Sequence, residues 1–99
     1  MIARYIVVDG MLSGTGIRDT VVGGSIEPND LGLSLELIAH IREWLKRYEE
    51  EHFAGLVDRI ELDALDQEGI EISQSLQLEL PKSKVSYYSH ARCEVLPIL

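Results

Sequence analysis

Residues 60–80 read Ile60-Glu61-Leu62-Asp63-Ala64-Leu65-Asp66-Gln67-Glu68-Gly69-Ile70-Glu71-Ile72-Ser73-Gln74-Ser75-Leu76-Gln77-Leu78-Glu79-Leu80, and two periodicities compete within them. Leu62, Leu65, Gly69, Ile72, Leu76 and Leu80 fall on one helical face. Ile70, Ile72, Leu76, Leu78 and Leu80 also alternate with polar residues, as strand residues do. Length decides between them, because an unbroken strand of this extent far exceeds the roughly three to ten residues of ordinary strands. The Gln, Glu and Leu content points the same way. The segment is predicted as a helix ended by Pro81. Gly69 costs on the order of 1 kcal/mol in a helix interior. It is expected to mark a close approach of two helices, or a helix that begins late.

A second helix precedes it. Ser34 suits an N-cap, and Leu37, Ile38, Ile41, Trp44, Leu45 and Tyr48 recur at helical spacing. Glu36, His40, Glu43, Arg47 and Glu50 take the opposite side, which predicts an amphipathic helix over 35–52. The stretch from Phe53 to Val57, with Gly55, connects the two.

Strand signals flank the helices. Residues 3–8 are β-branched and aromatic and run into Asp9-Gly10, and Ile17 to Val22 is a second β-prone run closed by Gly23-Gly24. They read as a hairpin whose long tip carries Met11 and Leu12 into solvent. Gly23 to Leu33 reads as a loop, Lys84 to Ser89 as a strand, and Cys93 to Leu99 as a short final strand or a tail packed on the core. The predicted fold is α+β, with a small antiparallel sheet (N-terminal hairpin plus C-terminal strand) packed on two helices in a single two-layer domain over 1–99. A chain of 99 residues can hold one core without a metal or disulfide staple, and has no room for a separate cofactor domain.

The charge is confined to one segment. Between Glu49 and Glu71 stand nine acids and one base, Arg59, while the other 76 residues balance eight acids with eight bases. The net charge of −8 therefore sits on 23 residues. Such a field repels phosphate backbones and anionic lipid, so neither nucleic acid nor membrane is an expected partner of this surface. It would attract a basic protein. A merely solvated acidic face is the plain alternative. Cys93 is the sole cysteine, the N-terminal apolar run is too short for a signal peptide, and no stretch approaches the roughly 18 apolar residues of a membrane span. A reducing cytoplasm is the expected compartment.

Catalytic constellations are weak. The Gly10–Gly16 loop lacks the Lys-Ser/Thr of a phosphate cradle and is followed by a β-prone run, not a helix. His40, His52, His90 and Cys93 do not show the spacing of converging metal ligands. Cys93 with His90, or Ser89 with His40, would form a nucleophile–base pair only if the fold joined them, and no nucleophile elbow is present. No cofactor, no metal and no enzymatic activity are expected.

A resemblance enters with the stretch Gly24-Ser25-Ile26-Glu27-Pro28-Asn29-Asp30-Leu31-Gly32-Leu33-Ser34, which leads into a helix carrying Trp44-Leu45 and Tyr48-Glu49. Leu65-Asp66-Gln67-Glu68-Gly69, Leu76-Gln77-Leu78-Glu79-Leu80-Pro81 and Val85-Ser86-Tyr87-Tyr88-Ser89 follow. From Gly24 to Ala91 this pattern resembles small immunity proteins of bacterial polymorphic toxin and contact-dependent growth inhibition systems. The resemblance implies a cytoplasmic inhibitor of one cognate toxin domain, often a nuclease. No binding residues carry over from so variable a family.

Charge and resemblance together predict a non-enzymatic immunity protein that masks a basic toxin domain with an acidic surface. Glu49, Glu50, Glu51, Asp58, Asp63, Asp66 and Glu68 are the expected docking residues, with Trp44 or a tyrosine as an anchor. The alternative is a structural or regulatory interaction module, a homo-oligomer or adaptor joined through an exposed sheet edge.

Overall fold

The computed structural model describes residues 4–98. Ala3, at the start of the first expected strand, and Leu99 lie outside the described residues. The elements are β1 (Tyr5–Asp9), β2 (Ile17–Asp19), a 3-10 turn (Pro28–Leu31), α1 (Leu35–Phe53), α2 (Arg59–Glu79), β3 (Lys84–Ser89) and β4 (Glu94–Leu96). The two-helix, α+β architecture is the predicted one. So is the helical reading of residues 60–80.

Local chemistry sets the helix ends. Ser34 Oγ accepts the Leu37 N–H at 3.2 Å, and Asp58 Oδ1 accepts the Glu61 N–H at 3.1 Å. The Ser34 N–H and hydroxyl both donate to the Glu79 carboxylate at 2.7 Å. This bond pair ties the start of α1 to the end of α2, so the helices run antiparallel.

The sheet is mixed, where an antiparallel one was expected. Its order is β2-β1-β3-β4. β1 pairs antiparallel with β2 (Val8 opposite Ile17) but parallel with β3 (Ile6 opposite Val85, Val8 opposite Tyr87). β4 returns antiparallel along β3, with Tyr88 opposite Val95. The reason lies in the path of the chain. β2 has already taken one edge of β1, and the antiparallel helix pair brings the chain back to the end where β1 begins. β3 then fills the free edge in the same sense as β1. Parallel neighbours need a long crossover, which the two helices supply.

The core lies between the sheet and the helices. Ile6, Val8, Ile17, Val85 and Tyr87 face Leu37, Ile41, Trp44, Tyr48, Leu65, Ile72 and Leu76. Gly69 marks neither a helix–helix approach nor a late helix start: it is the point where the Tyr87 ring meets the backbone of α2. β2 is shorter than predicted because Asp19 Oδ1 accepts the N–H groups of both Val21 and Val22 at 2.8 Å and turns the chain. Leu12 is exposed as expected, while Met11 is half-buried.

Candidate functional site

The acidic segment spans the last turn of α1, the connection at residues 54–58 and the first half of α2. Its acids do different work. Glu49, Glu50 and Glu51 enter none of the ion pairs among the described residues. Asp58 is exposed, and one of its oxygens caps α2. Asp63 receives Arg92 Nη2 at 3.2 Å, in an exposed pair.

Asp66 is only 4% exposed. Its Oδ1 accepts the Tyr87 hydroxyl at 2.7 Å, its Oδ2 accepts the Ser89 hydroxyl at 2.8 Å, and Arg92 Nε stands 3.6 Å away. Burial, followed by the hydrogen bond to this carboxylate and its charge, pushes the Tyr87 hydroxyl far above its ordinary pKa. Tyr87 is thus held neutral as a donor. Glu68 accepts from Arg47 and from His40 Nε2. Burial pushes the Glu68 carboxyl up, and these bonds together with the charges of Arg47 and His40 outweigh it, leaving its pKa below the ordinary value. Trp44 is fully buried, and its indole N–H donates to the Leu65 carbonyl at 2.8 Å. Its ring meets Tyr48 and Tyr87 edge-on, with centroids 5.5 and 6.1 Å away.

The structure therefore sorts the expected docking residues. Trp44 and Asp66 lie in the core. Glu68 bonds across to α1, and Asp63 to Arg92. Glu49, Glu50, Glu51 and Asp58 collect at one end of the helix pair, joined there by Glu61.

The same end carries apolar residues not anticipated from the sequence. Phe53 is 78% exposed, Val57 78% and Ile60 85%. For Phe53 and Ile60 the signal was phase, since neither continues the buried stripe Leu37-Ile41-Trp44-Tyr48 of α1 or Leu62-Leu65-Gly69-Ile72 of α2, and Val57 lies in the connection between the helices. The turn that presents them is well fixed. The Ala54, Gly55 and Leu56 N–H groups donate to Glu50, His52 and Glu51 carbonyls at 3.0, 3.1 and 2.8 Å. Gly55 (φ 90°) and Leu56 (φ 55°) are both left-handed. A leucine pays roughly 1–2 kcal/mol for that conformation, and here the Leu56 side chain packs against the core in return. His52 Nε2 donates to the Gly10 carbonyl at 2.8 Å, which fastens this end of α1 to the end of β1.

A polar cluster lies beside it. Arg18 Nε bonds Asp9 Oδ2 at 2.8 Å, and His90 Nε2 stands 3.7 Å from Asp9 Oδ1 without a hydrogen bond. The His52 and His90 rings are 5.7 Å apart. Burial depresses the His90 pKa more than the Asp9 charge raises it. The nucleophile–base pairs suggested by the sequence are not assembled: Ser89 bonds Asp66, His40 bonds Glu68, and Cys93 Sγ lies 3.5 Å from the His90 carbonyl, not its ring.

No helix among the described residues is long and apolar enough to cross a membrane. Residues 14–90 match the model of a family described as Serratia CdiI immunity protein-like. Neither a curated protein nor a solved structure matches the chain.

Proposed function

The chain belongs to the Serratia CdiI immunity protein-like family, immunity proteins of contact-dependent growth inhibition, and from that premise we propose that it binds and neutralises one cognate toxin domain, a basic nuclease, by masking its substrate-holding surface. The observation that carries this is the group Glu49, Glu50, Glu51, Asp58 and Glu61 at one end of the helix pair, none of them in an ion pair among the described residues. A nuclease must present cations to hold phosphates. Carboxylates can occupy those cations in place of the nucleic acid. Complementary charge speeds the encounter and rejects wrong partners. Nothing catalytic is asked of the inhibitor, which acts in the cytoplasm before a toxin reaches its target.

The alternative, a module that oligomerises through a sheet edge, has among the described residues only the three-residue strand β4 to work with, because the outer side of β2 is already bonded by Gly24 and Ile26. Short edges are poor templates for pairing. Co-expression with the toxin domain encoded next to this chain tests the proposal. Survival that depends on this protein is expected, and equal killing with and without it overturns the reading.

A further inference from the structure

We infer that the turn between α1 and α2 is the anchor of the toxin interface, with Phe53, Val57 and Ile60 seated in an apolar recess of the toxin whose rim is lined by lysine and arginine. This rests on the function proposed above and adds where, and by which residues, the contact is made.

The three side chains fall within eight residues of chain, and each is more than three-quarters exposed. Single exposed apolar residues are normal on a soluble protein, but a group of them at one point marks a contact surface. Interfaces take most of their energy from a few apolar anchors enclosed by a polar rim that excludes water. The rim is present here. Glu49, Glu50 and Glu51 lie in the last turn of α1, and Asp58 and Glu61 at the start of α2. Within residues 49–61 those five acids stand against one lysine or arginine, Arg59.

The sign of the rim selects the occupant. A second copy would set like charges together, and an anionic lipid surface would be repelled. A cationic protein surface is attracted. Val21 and Val22, also exposed, sit in a turn with one adjacent acid, Asp19, whose Oδ1 already accepts the N–H groups of both valines, and Thr20, Gly23 and Gly24 add no charge.

The turn is also pre-formed. Its three backbone hydrogen bonds, the Asp58 cap, the packed Leu56 and the His52–Gly10 bond hold the tip before a partner arrives. Little ordering is left to oppose binding.

The test is a triple variant, Phe53→Gln, Val57→Ser and Ile60→Gln, with the single Val57→Ser beside it, both checked for native circular dichroism and thermal unfolding. Binding is measured against the purified toxin domain encoded next to this chain. The expected result for the triple variant is a dissociation rate raised about 100-fold, an association rate changed less than about threefold, and loss of protection in cells. Val57→Ser should show a smaller rise in the same rate. Wild-type binding with the triple variant within about threefold of it overturns this inference and leaves the proposed function standing. A wild-type chain that neither binds nor protects overturns both. Concentration-dependent dimerisation abolished by the same triple variant would assign the tip to self-association and overturn the inference.

Discussion

Tyr87 lies against the backbone of Gly69, so that a β-carbon at Gly69 would stand 2.6 Å from Tyr87 Cζ and 2.8 Å from its oxygen. The glycine in the middle of α2 is thus the seat of a tyrosine from the sheet. One turn earlier on the same helix, Asp66 takes the hydroxyl of that tyrosine.

Gly69→Ala should destabilise the protein although it favours the helix. Alanine gains about 1 kcal/mol of helix propensity. Displacing the ring and loosening its bond to Asp66 costs about 1–3 kcal/mol as overpacking, and more if that bond breaks. Urea denaturation should show a lower midpoint, and a raised one would contradict the packing described.

Asp66→Ala should cost roughly 1–3 kcal/mol for each stranded hydroxyl, Tyr87 and Ser89, with Asp66→Asn between it and the wild type because one acceptor remains. The folded variants should still associate with the toxin domain at the wild-type rate, since this acid is buried. A slowed association with unchanged stability would return Asp66 to the docking surface.

The Glu68 carboxyl has a folded-state pKa below its ordinary value. Its contribution is therefore present above the unfolded pKa, near about 4.3, and lost as pH falls through the lower folded value. Glu68→Gln should lower stability at pH 7 by about 1 kcal/mol or less. The difference from wild type should close in more acidic solution. Thermal unfolding across pH checks this, and a difference that widens in acid would reverse the assignment.

Glu49→Gln, Glu50→Gln, Glu51→Gln and Asp58→Asn together should slow association with the toxin domain about tenfold at low salt and much less at high salt. Asparagine at position 58 still caps α2, so the helix should stay intact. Stopped-flow association measured at two salt concentrations reads the effect. Equal slowing at both would mean that these acids act at short range, through direct bonds, and not through a long-range field.

The helices were legible in the sequence nearly to the residue: 35–52 against Leu35–Phe53, and 60–80 against Arg59–Glu79. Helical periodicity and the Ser34 cap are local, whereas the Asp58 cap of α2 was not read from the sequence, which counted Asp58 among the docking residues. The strand Lys84–Ser89 was legible for the same reason. The candidate site was only half so. Counting charges grouped Asp63 with Asp66, but helical phase separates them, because Asp66 lies four residues after Leu62 and three before Gly69 on the buried stripe. The same phase leaves Phe53 and Ile60 outside.

By itself, then, the sequence determined two amphipathic helices, the strands flanking them and the concentration of charge around the turn that joins them, all properties of neighbours along the chain. Only the tertiary structure decided that β3 lies parallel to β1, that Tyr87 and not Tyr88 points inward, and that Asp66 is a core carboxylate while Glu49, Glu50 and Glu51 enter no ion pair among the described residues. The reason is physical. Whether an acid is available depends on what is packed against it, and the hydroxyls of Tyr87 and Ser89 reach Asp66 from 21 and 23 residues away.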